Sequence, residues 1–258
     1  MNSRVLEEID DHGVARFTLN RPDVHNALDD ETMTALTAAV VRANRSHDVR
    51  VVVISGAGDT FCAGTDIAWM EQLSADEPSA DARRLGNTLW QIRACTKPTL
   101  AQVNGPAYGA GLALATACDI SVADDEAVFS LPAVRLGAIP AVIAPFLLES
   151  VSIAHLRRYG LTGEEFSAEE ARRVGFISAT CLGAQLDETV AGMIENLLKG
   201  SPAAQKEFKS LLNDYGRSQL SSGLIEGAAK ISARLRRTAE AREALAAFIE
   251  KRPPDWQR

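Results

Sequence analysis

The chain has 258 residues, of which 46% are hydrophobic and 24% are charged, and its formal net charge is −7. This length suffices for one large domain, or for one domain with a small appendage. The acidic balance excludes a general attraction to nucleic-acid backbones or anionic membranes, although a local basic cluster could still bind one anionic ligand.

No apolar run reaches the roughly 18 residues that span a bilayer. The polar, acidic start does not resemble a signal peptide, so we expect a cytoplasmic protein. The four cysteines are widely spaced and form no CxxC pair. This spacing predicts free thiols and no metal site.

Strand and helix patterns alternate in the first half of the chain. Apolar residues alternate with polar ones from Ala15 to Leu19, as in a half-buried strand, and the apolar run from Val51 to Ile54 predicts a strand buried on both faces. The remaining predicted elements are helices over 30–43, 66–73, 81–95 and from Gly111 to near Cys118, and strands over 99–104, 120–123 and 127–130.

Helical patterns dominate from Pro140 onward. The sequence Lys199-Gly200-Ser201-Pro202 places a helix-ending Gly before a helix-starting Pro. Three amphipathic segments follow it. We therefore predict an α/β core over residues 1–198 and a helical subdomain over residues 199–258. The basic run 234–242 is interpreted as a solvated helix face, with phosphate binding as the alternative.

Two glycine-bearing loops, 58–67 and 104–111, each follow a strand and open a helix. The first turn of a helix has unpaired N–H groups, and its dipole is positive there. Two such turns that converge on one carbonyl oxygen would stabilise developing negative charge. The alternative is that both are merely tight strand-to-helix turns. Neither loop has the GxGxxG or GK[ST] spacing of a nucleotide site.

Three segments resemble the crotonase (enoyl-CoA hydratase/isomerase) superfamily, in order and at suitable spacing. Residues 20–28, NRPDVHNAL, resemble its NRP…NAL signature, and residues 61–67, FCAGTDI, resemble its F-x-A-G-x-D-L/I loop. Residues 104–111, NGPAYGAG, with the later Ala117-Cys118-Asp119, resemble its glycine-rich segment. More loosely, residues 134–146 and the helical tail resemble the branch that contains methylglutaconyl-CoA hydratases.

The resemblance implies a spiral of ββα units with a C-terminal helical subdomain that forms trimers, or dimers of trimers, and covers the active site. The backbone N–H groups of Thr65 and Ala110 would bind the oxygen of an acyl-CoA thioester. No cofactor or metal beyond that CoA is implied, and no nucleic acid or membrane partner. The residues implied to contact CoA or the acyl group are Val24, His25, Ala27, Ala63, Asp66, Ile67, Trp69 and Gly109.

The chain departs from the family at three carboxylate positions. Hydratases of the family use two glutamates, where this chain has Ala113 and Ala133, and several isomerases use an acid where it has Ala141. An alanine transfers no proton, and general acid-base catalysis is worth roughly 10²- to 10⁴-fold in rate. Tyr108 is a candidate substitute proton donor, and Arg135 a candidate partner for a substrate carboxylate.

The leading hypothesis is therefore that the chain is an acyl-CoA enzyme of fatty acid metabolism that stabilises a thioester enolate. Hydration or isomerisation of an enoyl-CoA, decarboxylation of an acyl-CoA, and silent acyl-CoA binding remain open. The sequence alone decides neither the acyl chain nor the pathway.

Overall fold

The computed structural model describes residues 3–72, 78–216 and 218–257. Within these residues, strands and helices alternate before a helical C-terminal part. The strands are β1 (Val5–Ile9), β2 (Val14–Leu19), β3 (Val51–Gly56), β4 (Thr99–Val103), β5 (Ala107–Tyr108), β6 (Ile120–Asp124), β7 (Val128–Ser130), β8 (Glu165–Ser167) and β9 (Ala179–Cys181). The helices are α1 (Asp30–Arg45), α2 (Ile67–Met70), α3 (Pro78–Arg93), α4 (Ala110–Ala117), α5 (Ala144–Ser150), α6 (Ile153–Thr162), α7 (Ala168–Val174), α8 (Leu186–Lys199), α9 (Pro202–Tyr215), α10 (Ser222–Leu235) and α11 (Ala239–Glu250).

The main sheet has six strands in the order β1-β2-β3-β4-β6-β9. Its first pair is antiparallel, and the remaining neighbours are parallel. A smaller sheet has the order β5-β7-β8. Because β3 and β4 run parallel, the loops that follow them leave from one edge of the sheet, and the residues that precede them lie at the opposite edge.

Apolar residues are buried on both faces of the main sheet. On one face, Val51, Val53 and Leu100 pack with Val190 and Ile194 of α8. On the other face, a larger core includes residues of α1, α3 and α4 together with those of the small sheet. The strand at Val51–Ile54 is therefore buried on both faces, as its apolar run predicts.

The α/β fold agrees with the sequence prediction, although some strands were not predicted. The strands predicted over 15–19, 99–104, 120–123 and 127–130 correspond to β2, β4, β6 and β7. However, β8 and β9 lie in the region where helical patterns dominate. Each has only three residues, too few to show a periodicity of two. Helices α9 to α11 form the helical tail; that this tail is a separate subdomain remains a prediction.

None of the helices in residues 3–72, 78–216 and 218–257 is both long enough and apolar enough to cross a bilayer.

Candidate active site

The loops that follow β3 and β4 are joined by backbone hydrogen bonds at Cys62. The Cys62 N–H donates to the Pro106 carbonyl at 3.2 Å, and the Tyr108 N–H donates to the Cys62 carbonyl at 3.0 Å. The N–H of Gly109 then donates to the Ser130 carbonyl at 2.9 Å, which fixes the start of α4. The two loops singled out in the sequence therefore converge.

This close approach requires glycine at two positions. A Cβ atom at Gly111 would lie 2.1 Å from the Cys62 carbonyl oxygen, far inside van der Waals contact. A Cβ atom at Gly64 would lie 2.8 Å from the Tyr108 carbonyl oxygen and 3.5 Å from the Ala110 nitrogen. Gly64 also has φ +97°, a conformation that disfavours other residues. The backbones of Gly64 and Ala110 are therefore neighbours.

The segment at Leu28 holds the first loop in place. The Leu28 N–H donates to the Gly64 carbonyl at 2.7 Å, and the Asp66 N–H donates to the Leu28 carbonyl at 3.0 Å. Among the hydrogen bonds of the described residues, none is donated by the backbone N–H of Thr65 or Ala110. Ala110 is the first residue of α4, where an N–H has no partner within the helix. Both predicted donors are therefore available to a ligand.

Thr65, Ala110 and Gly109 line a cavity of about 360 Å³ whose walls are mostly apolar. This volume is within the range of small-molecule sites. The walls come from the first loop, α2, α3 and the segment that follows β7. Besides the two donors, the lining includes Ala63, Ile67, Met70, Leu85, Leu131, Leu136 and Ile139.

The three alanines at the usual carboxylate positions do not occupy equivalent places. Ala133 and Ala141 line the cavity. Ala113 lies in α4, is completely buried in the core, and is not among the lining residues. Within the described part of the lining, Asp81 of α3 is the one residue with an ionisable side chain.

The two candidate substitutes from the sequence lie outside this lining. The Tyr108 hydroxyl donates to Glu165 Oε1 at 3.0 Å. Burial is the main cause that raises the pKa of Tyr108, and this hydrogen bond raises it further. Arg135 is exposed, and its Nε donates to the Thr162 carbonyl at 3.0 Å. Neither residue is among those that line the cavity.

The signature segment 24–27 lies beside the first loop. The Ala63 N–H donates to the His25 carbonyl at 2.9 Å. The His25 ring nitrogen Nδ1 is 3.2 Å from the Thr60 hydroxyl. His25 is exposed and Val24 is half-buried, whereas Ala27 is buried. The segment and the loop thus form one continuous surface next to the cavity.

Asp66 has a structural role in this surface. Its Oδ1 caps α2 by accepting from the Trp69 N–H at 3.1 Å, and its Oδ2 pairs with Arg21 Nη1 at 2.9 Å. Burial raises the pKa of Asp66, but the hydrogen bonds from Trp69 and Arg21 outweigh burial and leave the pKa lowered. Trp69 packs against the core and is not among the cavity-lining residues, whereas Ile67 is.

Cys62 is not an activated nucleophile, although it lies between the loops. It is fully buried, and burial raises the pKa of its thiol to about 12. A thiol with this pKa is protonated at neutral pH, so it does not attack a thioester.

Sequence reasoning missed Asp81 as a site residue. Asp81 and Leu85 are four residues apart and therefore share one face of α3, and both line the cavity. The four-residue spacing predicts that Asp81 and Leu85 share a helix face, but the sequence does not show which element that face packs against.

The chain is similar to known proteins over its whole length. The family model described as enoyl-CoA hydratase/isomerase matches residues 10–258. The 2,3-dehydroadipyl-CoA hydratase of Escherichia coli (strain K12) is 31% identical over 246 residues, which are 95% of each chain.

Solved structures agree with this match. An enoyl-CoA hydratase from Shewanella pealeana superposes with a TM-score of 0.93 at 31% identity, covering 98% of this chain and 96% of that one. An enoyl-CoA hydratase from Mycobacterium smegmatis gives a TM-score of 0.94 at 28% identity, with both chains fully covered. The chain therefore belongs to the enoyl-CoA hydratase/isomerase family of the crotonase superfamily, and it is an acyl-CoA enzyme of that family.

Proposed function

We propose that this enzyme isomerises an enoyl-CoA by moving a proton between two carbons of the acyl chain. Asp81 would remove a proton from the α-carbon of a 3-enoyl-CoA, and the N–H groups of Thr65 and Ala110 would bind the enolate oxygen that results. The protonated Asp81 would then return the proton to the γ-carbon, which leaves a 2-enoyl-CoA and the original carboxylate.

One observation carries this proposal: in the described lining, a single carboxylate shares a mostly apolar cavity with two unpartnered backbone N–H groups. One base suffices to carry one proton from carbon to carbon. The apolar walls suit an acyl chain and strengthen the electrostatic effect of the two N–H dipoles.

Hydration and decarboxylation fit the cavity less well. Hydration in this family relies on two glutamates, and the corresponding positions are Ala113 and Ala133. Decarboxylation requires a second, anionic group of the substrate in the cavity. The described lining offers that group no cation and places Asp81 there, so like charges would repel.

We propose that the CoA part lies along the surface formed by Val24 to Ala27 with Ala63, Asp66 and Ile67, and that no further cofactor takes part. We also propose that residues 199–258 form the subdomain that assembles trimers and covers neighbouring sites. Large apolar side chains exposed on the tail helices support this assembly. They include Phe208, Leu212, Ile225, Leu245, Phe248 and Ile249.

The reaction class is tested by mass spectrometry of CoA thioesters incubated with the protein in heavy water. The panel contains 3-hexenoyl-CoA, crotonyl-CoA, 3-methylglutaconyl-CoA and methylmalonyl-CoA. We expect conversion of the 3-enoyl to the 2-enoyl thioester, with no net addition of water. Addition of water or loss of CO₂ in the absence of any isomerisation would refute the proposal.

A further inference from the structure

A second cavity, of about 250 Å³, lies at the opposite edge of the sheet from the candidate active site. Arg50, which directly precedes β3, and Lys97, which shortly precedes β4, both line it. The loops of the candidate active site follow the same two strands. Strand β3 has six residues, so the two sites are about 20 Å apart.

The lining of this cavity is strongly basic, although the whole chain is acidic. Arg45, Arg50, Lys97 and Lys206 contribute four positive charges. Glu240 is the one carboxylate among the described lining residues, and its Oε2 already accepts hydrogen bonds from Ser201 and Ala203. The cavity therefore has an excess of positive charge.

Three of these cations have no anionic partner in the described part of the chain. The side chains of Arg45, Lys97 and Lys206 make no hydrogen bond or ion pair there. Burial lowers the pKa of Lys97, and the neighbouring charges of Arg50 and Lys206 lower it further. Like charges so close together are unfavourable unless an anion lies between them.

Arg50 is held rigidly in this cluster. Its Nη1 donates to the Trp256 carbonyl at 3.1 Å, and its Nη2 donates to the Gly200 carbonyl at 2.9 Å. These neutral acceptors fix the guanidinium, and the charge of Glu240 acts on it without a direct ion pair among the described contacts. Its Nε is buried and has no hydrogen-bond partner. A buried donor without a partner costs free energy.

We propose that this cavity binds a compact, multiply charged oxyanion of the phosphate or diphosphate type. Guanidinium and ammonium groups together are the usual donors to phosphate oxygens. The volume is below that of sites for drug-sized ligands, which favours a small anion. Because Arg50 and Lys97 belong to the core and Lys206 to α9, the anion joins the helical tail to the core.

Isothermal titration calorimetry of the full chain with inorganic pyrophosphate, at low ionic strength, tests this site. We expect binding with a Kd on the order of 0.1 mM that weakens as salt is added. The variants K97A and K206A should each bind about 10-fold more weakly, since each loses a charged hydrogen-bond donor. The wild type should also unfold at a higher temperature with pyrophosphate present.

K230A is the matched control. Lys230 is an exposed lysine of α10, 3.7 Å from Glu226, and it is not among the residues that line the cavity. K230A changes the net charge of the chain by the same amount as K206A. It should leave the Kd for pyrophosphate unchanged within about 2-fold. Absence of binding by the wild type, or equal weakening in K206A and K230A, would overturn the proposal. Neither result bears on the isomerase proposal, since the acyl-CoA site shares none of these residues.

Discussion

The backbone of Leu28 flanks that of Thr65 on both sides, through its N–H bond to Gly64 and its carbonyl bond to Asp66. This bridge is the reason why the Thr65 N–H stays free while its neighbours are paired. The Thr65 N–H is thus positioned by a segment almost 40 residues earlier in the chain, and this bridge brings residues 20–28 and the loop 61–67 together.

Substitution of Gly64 by alanine should disable the proposed oxyanion site. The new Cβ would lie 2.8 Å from the Tyr108 carbonyl oxygen, and the alanine would have to adopt φ +97°. The loops would separate, and Thr65 and Ala110 would no longer converge. Since loss of one oxyanion donor costs about 10²- to 10³-fold, we expect kcat to fall at least 100-fold.

The control for this variant is G160A, in α6. A Cβ there meets nothing within 4 Å, and Gly160 does not have a positive φ. G160A should retain wild-type kcat. Comparable kcat in G64A and G160A would show that the convergence of the two loops is unimportant.

Asp66→Asn should destabilise the fold in a pH-dependent manner. The pKa of Asp66 is lowered, so its carboxylate stabilises the folded state above the usual pKa of an aspartate, and this contribution is lost as pH falls through the lowered value. We expect D66N to lower the free energy of unfolding by about 1–3 kcal/mol at pH 7. The difference should shrink below about pH 4.

Urea denaturation at pH 7 and at successively lower pH measures this difference. D125N is the control, because Asp125 is exposed on the loop after β6. If the free energy of unfolding of D66N lies below that of the wild type by the same amount at every pH, the charge of Asp66 does not contribute to stability.

Restoring the family's glutamates should have unequal effects at the two positions. Ala113 is completely buried in α4, so A113E places a charge in an apolar core, which costs about 3–5 kcal/mol when unpaired. Ala133 lines the cavity, where a longer side chain has space. Thermal unfolding of A113E and A133E compares them directly. Equal melting temperatures would contradict the burial of Ala113.

Much of the fold was predictable from the sequence because its signals are local. The apolar run at Val51–Ile54 and the strand-loop-helix order around Gly64 and Gly111 indicate a buried strand and two sharp turns. Strand β1 was not predicted, because four of its five residues are exposed and charged side chains interrupt any apolar pattern. Strand β5 has two residues, and its pairing depends on β7, which is distant in the sequence.

The convergence of the two loops was predictable from their motifs, because glycines determine how closely the two backbones approach. That the N–H groups of Thr65 and Ala110 bind a thioester oxygen remains a prediction. Asp81 was not predicted, because the sequence does not show that α3 and the first loop line the same cavity. Conversely, Tyr108 and Arg135 have suitable chemistry, but the structure directs them to Glu165 and Thr162.

Deuterium uptake by 3-hexenoyl-CoA in heavy water, compared between the wild type, D81N and D125N, tests whether Asp81 carries the proton. We expect that D81N still binds the thioester, while isomerisation and uptake at the α- and γ-carbons fall by about 10²- to 10⁴-fold. D125N should match the wild type. Undiminished isomerisation and uptake in D81N would contradict the assignment of Asp81 as the proton carrier.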